Sequence, residues 1–116
     1  MNYEDMSDFE INKLVAGKAF GSHEWVCVSS WSDDEFVASL INHTQEKFDP
    51  CNNPSDAWPI ILTTGMSIEL AHEDLGGIGT CTIYNSMGTD WYCDFTDNSK
   101  ALRAAMICFL KMKDSE

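Results

Sequence analysis

From Ala101 to Leu110 every residue but one is apolar, and the exception, Arg103, is the only arginine in the chain. The run is rich in good helix formers, Asp97-Asn98-Ser99 before it offers caps, and Lys111 and Lys113 stand where the helix dipole favours cations. A helix apolar around most of its circumference has to lie inside the fold, with other elements on several sides. Its guanidinium cannot give up its charge, and an ion buried without partners is costly even after relaxation. Two kinds of partner fit. One is a core-facing carboxylate such as Asp56 or Asp49; the other is the phosphate or carboxylate of a ligand held beside a helix start.

The chain has 116 residues, the size of one domain, and 44% hydrophobic with 11% aromatic content is the composition of a packed globular protein. Ser7-Asp8-Phe9-Glu10 is a capping box that predicts a helix over residues 8–16, with Gly17 or Gly21 ending it. Trp25 to Trp31 reads as a strand. Residues 32–48 carry two signals, a second capping box at Ser32–Glu35 and an FVASLI run able to pair back on 25–31, so helix and hairpin both stand. The turn formers between Asp49 and Ser55 predict a loop. In the helix that follows, either Asp56 is the cap and Pro59 lies in the first turn, or Asn53 is the cap, Pro54 opens the helix and Pro59 falls inside it. Thr64-Gly65 closes it. Alternation then predicts strands at Met66–Leu70, Thr80–Tyr84 and Asp90–Thr96, with Gly76–Gly79 as a hairpin turn and Trp91, Cys93 and Phe95 sharing one face. The predicted fold class is α+β: one small domain over residues 1–116, an antiparallel β-meander of three or more strands packed against N-terminal, central and C-terminal helices.

Nineteen Asp and Glu against seven Lys and Arg give a net charge of −12. Such a surface repels phosphate backbones and anionic membranes, so direct nucleic-acid and membrane binding are not expected. The acidic opening MNYEDMSDFE differs from the basic and then apolar start of a secretory leader, so secretion is not expected. Five scattered cysteines without a C-x-x-C pair read as buried thiols. The three histidines form no metal-binding spacing, His72-Glu73-Asp74 reads as a solvated loop, and no nucleophile sits in a recognisable signature. No metal, cofactor or catalysis is expected.

The second unusual stretch is Cys51-Asn52-Asn53-Pro54-Ser55-Asp56-Ala57-Trp58-Pro59. Adjacent Asn amides, a carboxylate and an indole are groups that recognise a base or a sugar. The plainer reading is that Asn52 and Asn53 hold the loop by Asx turns while Trp58 fills the core.

Three blocks, NYEDMSDFEINKLVAG, DPCNNPSDAWPII with the nearby SIEL, and LRAAMICFLKMK, resemble the small NinX proteins encoded in the nin regions of lambda-like phages. They cover roughly half the chain, and Asn-Asn-Pro-x-Asp-Ala-Trp-Pro is the most specific of them. At the final helix, members often have Asn-Pro-Leu-Arg where this chain has Lys100-Ala101-Leu102-Arg103; residues 22–48 carry none of the resemblance. The resemblance implies a phage accessory protein made in the bacterial cytoplasm, in a family without an assigned biochemical role.

The resulting expectation is a non-enzymatic binder of a small anionic, nucleotide-like ligand, able to blunt host defence by sequestering a signal molecule. Arg103 would contact phosphate, Asn52, Asn53 and Asp56 would satisfy polar edges, and Trp58 would supply a stacking wall. The alternative is an acidic modulator or nucleic-acid mimic that binds a host or phage protein. A homo-oligomer completing the pocket across its interface fits the first expectation.

Overall fold

The C-terminal apolar run forms a helix, and eight of its residues, Ala101 and 104–110, are buried. The other elements close around it. The structure, a computed structural model, describes residues 2–20, 25–29, 35–39, 46–84 and 90–114. In chain order these hold a 3-10 turn at Tyr3–Asp5, α1 (Asp8–Ala19), β1 (Trp25–Ser29), β2 (Glu35–Ser39), β3 (Glu46–Phe48), α2 (Pro54–Thr64), β4 (Ser67–Glu69), a 3-10 turn at Glu73–Leu75, β5 (Gly79–Ile83), β6 (Trp91–Phe95), a 3-10 turn at Asn98–Lys100, and α3 (Ala101–Asp114). The fold is α+β, with two antiparallel three-stranded sheets in the orders β1-β2-β3 and β4-β5-β6. β5 and β6 pack on one side of α3, α1 and α2 pack on others, and the first sheet leans on α1.

α1 starts as its sequence predicts: the Ser7 hydroxyl accepts from the Glu10 N–H at 3.1 Å, and Asp8 and Glu10 favour the positive end of the helix dipole. Its end differs. Gly17 continues the helix on an exposed face, and the chain leaves only at Phe20, whose extended backbone still donates to Ala16 at 2.9 Å. The inward face of α1 is Ile11, Asn12, Val15 and Ala16. Phe20 then meets Phe48 edge to face, with ring centroids 4.9 Å apart.

The undecided stretch is a hairpin where it is described. Residues 35–39 pair antiparallel with 25–29, with Cys27 opposite Val37, and 46–48 add the third strand. Val37 and Ala38 are buried, and Val37 carries the β-branched geometry that suits a pleated surface. Residues 30–34 and 40–45, which include part of the Ser32–Glu35 capping signal, lie outside the described residues.

At α2 the Asn53 alternative holds. The Asn53 side chain accepts from the Ser55 N–H at 3.0 Å, Pro54 occupies the first turn, and Pro59 lies inside the helix. The carbonyl that Pro59 cannot partner belongs to Ser55; both residues are exposed, so water can serve it. Gly65 takes φ 68° and ends the helix. Its N–H reaches Leu62, while the Met66 N–H returns to Ile61 at 3.2 Å and folds Met66 over the helix end.

The predicted meander is the second sheet, with β4 and β6 shorter than their alternating runs and β5 beginning one residue earlier, at Gly79, which the sequence assigned to the turn. Ile68, Cys81 and Cys93 stand in register, and the β5 positions Gly79, Cys81 and Ile83 face inward with Cys93 and Phe95 of β6. The connection from β4 to β5 is longer than a tight hairpin. It contains the 3-10 turn, and Gly76 and Gly77 both take positive φ. Asn98 ties this segment down: its side chain accepts from the Ala71 N–H at 2.8 Å and donates to the Ala71 carbonyl at 3.2 Å.

Candidate functional site

The turn from Asp49 to Asn53 precedes α2 and packs beside α1. The N–H groups of Asn52 and Asn53 donate to the Asp49 carbonyl at 3.1 and 2.7 Å, closing the turn. The Asp49 N–H donates to the Asp56 carboxylate at 2.9 Å, so Asp56 secures the turn and leaves the cap to Asn53. Asn12 projects from α1 into this turn and is 5% exposed. Its amide donates to Asp49 at 2.7 Å and accepts from the Cys51 N–H at 3.2 Å, which satisfies both ends of a buried polar side chain.

Asn52 extends the network. Its NH₂ group lies between two carboxylates, 3.0 Å from Asp8 and 3.2 Å from Asp49. The other Asp8 oxygen is 2.6 Å from Nη1 of Arg103. Nη2 of Arg103 donates to the backbone carbonyls of Glu4, at 3.2 Å, and of Met6. The guanidinium is therefore held by the N-terminal segment and not by Asp56 or Asp49, the carboxylates the sequence pointed to. The physical reason is helix placement: Asp8 opens α1, whose packing against α3 brings an acidic first turn beside Arg103. Burial pushes the Asp8 carboxyl up, but hydrogen bonds from Asn52 and Arg103, with the charge of Arg103, outweigh it and hold the group below its usual value.

Further along α3, Lys111 pairs with Glu4 at 3.3 Å, and the Tyr3 hydroxyl donates to Asp114. Burial and that carboxylate push the Tyr3 phenol up to about 12. Together these contacts strap residues 3–8 along the helix.

Of the five residues predicted as a ligand site, Asn52 and Arg103 meet through Asp8, Asn53 caps α2, and Asp56 closes the preceding turn. Trp58 stands apart. It is 56% exposed, on the outer side of α2, and does not fill the core. Leu62, one turn later, is 62% exposed. Beside them is a hollow of about 400 Å³ lined by Trp58, Ile61, Leu62, Gly65, Met66 and Ile68. A different hollow of about 210 Å³ adjoins Arg103 between β6 and α3, with Cys93, Phe95, Ala104 and Ile107 as its apolar floor and Lys100, Glu4 and Asp94 around it. A third, of about 250 Å³, spans α2 and α3 through Pro59, Ile60, Thr63 and Phe109, without any of the five.

Cys51, Cys81, Cys93 and Cys108 are buried thiols. Burial raises all four, Cys51 and Cys81 to about 12 and Cys108 to about 11. Thiols so placed are poorly nucleophilic. His72 sits exposed in the β4–β5 connection, where its ring accepts from the Asp74 N–H at 3.2 Å and caps the 3-10 turn.

Asp8 and Asn12 are the network residues that sequence reasoning missed, while Asp49, which it offered as a partner for Arg103, holds Asn12 and Asn52 in its place. Asn12 had a readable signal, a polar residue among the inward positions Ile11, Val15 and Ala16. A second signal also lies in the sequence: from Phe48 to Ser99 there are eight Asp and Glu and no Lys or Arg. The exposed large hydrophobics among the described residues, Trp58, Leu62, Leu70, Ile78, Tyr84 and Tyr92, all fall in that stretch. None of the described helices is long and apolar enough to cross a membrane.

No match was found among curated proteins or among solved structures. The family described as Bacteriophage P22, NinX, matches residues 2–113, which takes in the hairpin region where no resemblance was read, and the chain belongs to that family.

Proposed function

We propose that this phage protein is a non-catalytic accessory factor that binds a host or phage protein of opposite charge through its acidic, apolar-studded half. One observation carries the reading: the six exposed large hydrophobics among the described residues all lie in the 48–99 stretch, which holds eight carboxylates and no Lys or Arg. Carboxylates steer a basic partner and exclude acidic ones, while exposed aromatic and aliphatic side chains supply the contact energy once water is expelled. The outward side of the second sheet adds to it. Glu69, Thr80 and Asp94 stand in one cross-strand row and Ser67, Thr82 and Tyr92 in the next, and Thr80 donates to Asp94 at 2.8 Å.

A small nucleotide-like anion is a second reading, supported by the hollow where Lys100 and Arg103 flank an apolar floor. Against it, Arg103 is engaged by Asp8 and two carbonyls, and Glu4 and Asp94 share the rim.

Affinity capture from phage-infected cells at low and high salt, with nucleotide-library thermal shifts in parallel, separates the two. The expected result is one strongly basic protein, retained at low salt, released as salt rises, and lost from a chain carrying Glu69→Gln, Asp90→Asn and Asp94→Asn. Retention that ignores both salt and these substitutions overturns the proposal. A nucleotide shift abolished by Lys100→Ala, with no protein retained, favours the second reading in its place.

A further inference from the structure

Among the exposed hydrophobics, two are one helical turn apart and border a concavity. Trp58 and Leu62 form one wall, Ile61 and Met66 the floor, and Ile68 of β4 the far side. The shape follows from the helix ending: left-handed Gly65 lets Met66 return over Ile61, which sets β4 beside α2 and leaves an open space where a residue-65 side chain would stand. α2 is anchored by its buried Ala57 and Ile60, so the two exposed side chains are presented on a fixed element.

We propose that this hollow is the docking point for a large apolar side chain of the basic partner, carried in a segment whose neighbouring residues are Lys or Arg; the inference rests on the reading above. Chemistry selects the occupant. The lining is mostly apolar and holds no charged side chain, with the Trp58 indole N–H as its one side-chain donor, so the hollow fits an aliphatic or aromatic group better than a phosphate. The nearest charges along the chain are Asp56, two residues before Trp58, and Glu69, directly after Ile68; both are acidic and call for cationic flanks. A second copy of this chain would oppose one acidic surface to another, at an electrostatic cost. A concave apolar floor, a fixed aromatic rim and a charged periphery are the makings of a binding hot spot.

Immobilised peptides with a central Leu or Phe between Lys and Arg residues provide the probe, with sister peptides that replace the centre by Gln or the flanks by Gln or Glu. Trp58→Ser and Leu62→Ser are the variants. Both side chains are more than half exposed, and thermal unfolding checks that each variant folds. The expected result is binding of the basic Leu and Phe peptides, weakened at least about tenfold by either substitution and by Gln at the peptide centre. Binding that survives both variants overturns this docking point and leaves the basic-partner reading intact. Binding lost in the variants but indifferent to flank charge and salt keeps the hollow and overturns that reading. If no peptide binds while a basic protein is still captured from infected cells by Trp58→Ser, the docking point falls alone.

Discussion

Arg103 illustrates how one buried charge organises its surroundings. Its side chain is 16% exposed, and an uncompensated guanidinium there would destabilise the fold by several kcal/mol. The fork solves this by taking Asp8 with one nitrogen and two backbone carbonyls with the other, which fixes the N-terminal segment on α3. Arg103→Ala is expected to lower stability by about 2–3 kcal/mol in urea unfolding, because Asp8 and the carbonyls lose their donor. Arg103→Lys should recover only part, since a single ammonium cannot reproduce the fork. A loss below about 0.5 kcal/mol for Arg103→Ala would show the pairing to be incidental. The pH dependence has a definite sign. Because the folded Asp8 carboxyl is held below its ordinary value of 3.8, its contribution is complete above about pH 4 and fades as pH falls further. In Arg103→Ala that acid limb should flatten.

At the scale of elements, the second sheet depends on a residue without a side chain. Gly79 of β5 faces Phe95 of β6, and a Cβ at that position would lie 2.5 Å from the Phe95 ring and 2.7 Å from the Glu69 carbonyl. One obstacle is a ring held over the strand and the other is backbone, so neither yields cheaply. Gly79→Ala is expected to cost about 2–3 kcal/mol by denaturant unfolding, whereas Gly17→Ala in α1, on an exposed face, should be neutral or stabilising by up to about 1 kcal/mol. Elements of this kind were legible where periodicity and caps agreed. Ser7 before α1, alternation through β5 and β6, and the apolar run of α3 each point to one conformation. The hairpin of β1 and β2 was not, because Phe36 and Val37 suit a helix face as well as a strand and only pairing with residues 25–29 decides between them. Nor was the partner of Arg103. It lies 95 residues away, and nineteen carboxylates could have claimed it; the choice is made by helix packing, which local sequence does not encode. The same holds for Trp58, which looks like core until α2 is rotated by its inward Ala57, Ile60 and Ile61.

For the whole molecule, charge and burial act on stability in different pH ranges. With −12 at neutral pH, the carboxylates are fully ionised well below pH 8, so their mutual repulsion changes little from there upward. The buried thiols behave otherwise. In the unfolded chain they ionise near 9, while in the fold Cys51 and Cys81 wait until about 12 and Cys108 until about 11. Between those values the unfolded chain has released protons that the folded chain still holds, so each thiol's contribution is complete below about pH 9 and is lost as pH rises toward its folded value, by up to ~1.4 kcal/mol per pH unit per thiol. Tyr3 joins from 10 upward, its folded value being about 12. Denaturant unfolding followed from about pH 8 to about pH 10.5 should therefore show stability level at first and then falling steeply from near 9. Replacing Cys81 and Cys108 by Ala should lower stability at pH 8 through lost packing and yet flatten the alkaline fall, since two of the linked protons are gone. A slope unchanged by that pair of substitutions would mean that the thiols are reached by solvent and base in the folded protein, and that the junction of β5, β6 and α3 is looser than its burial implies.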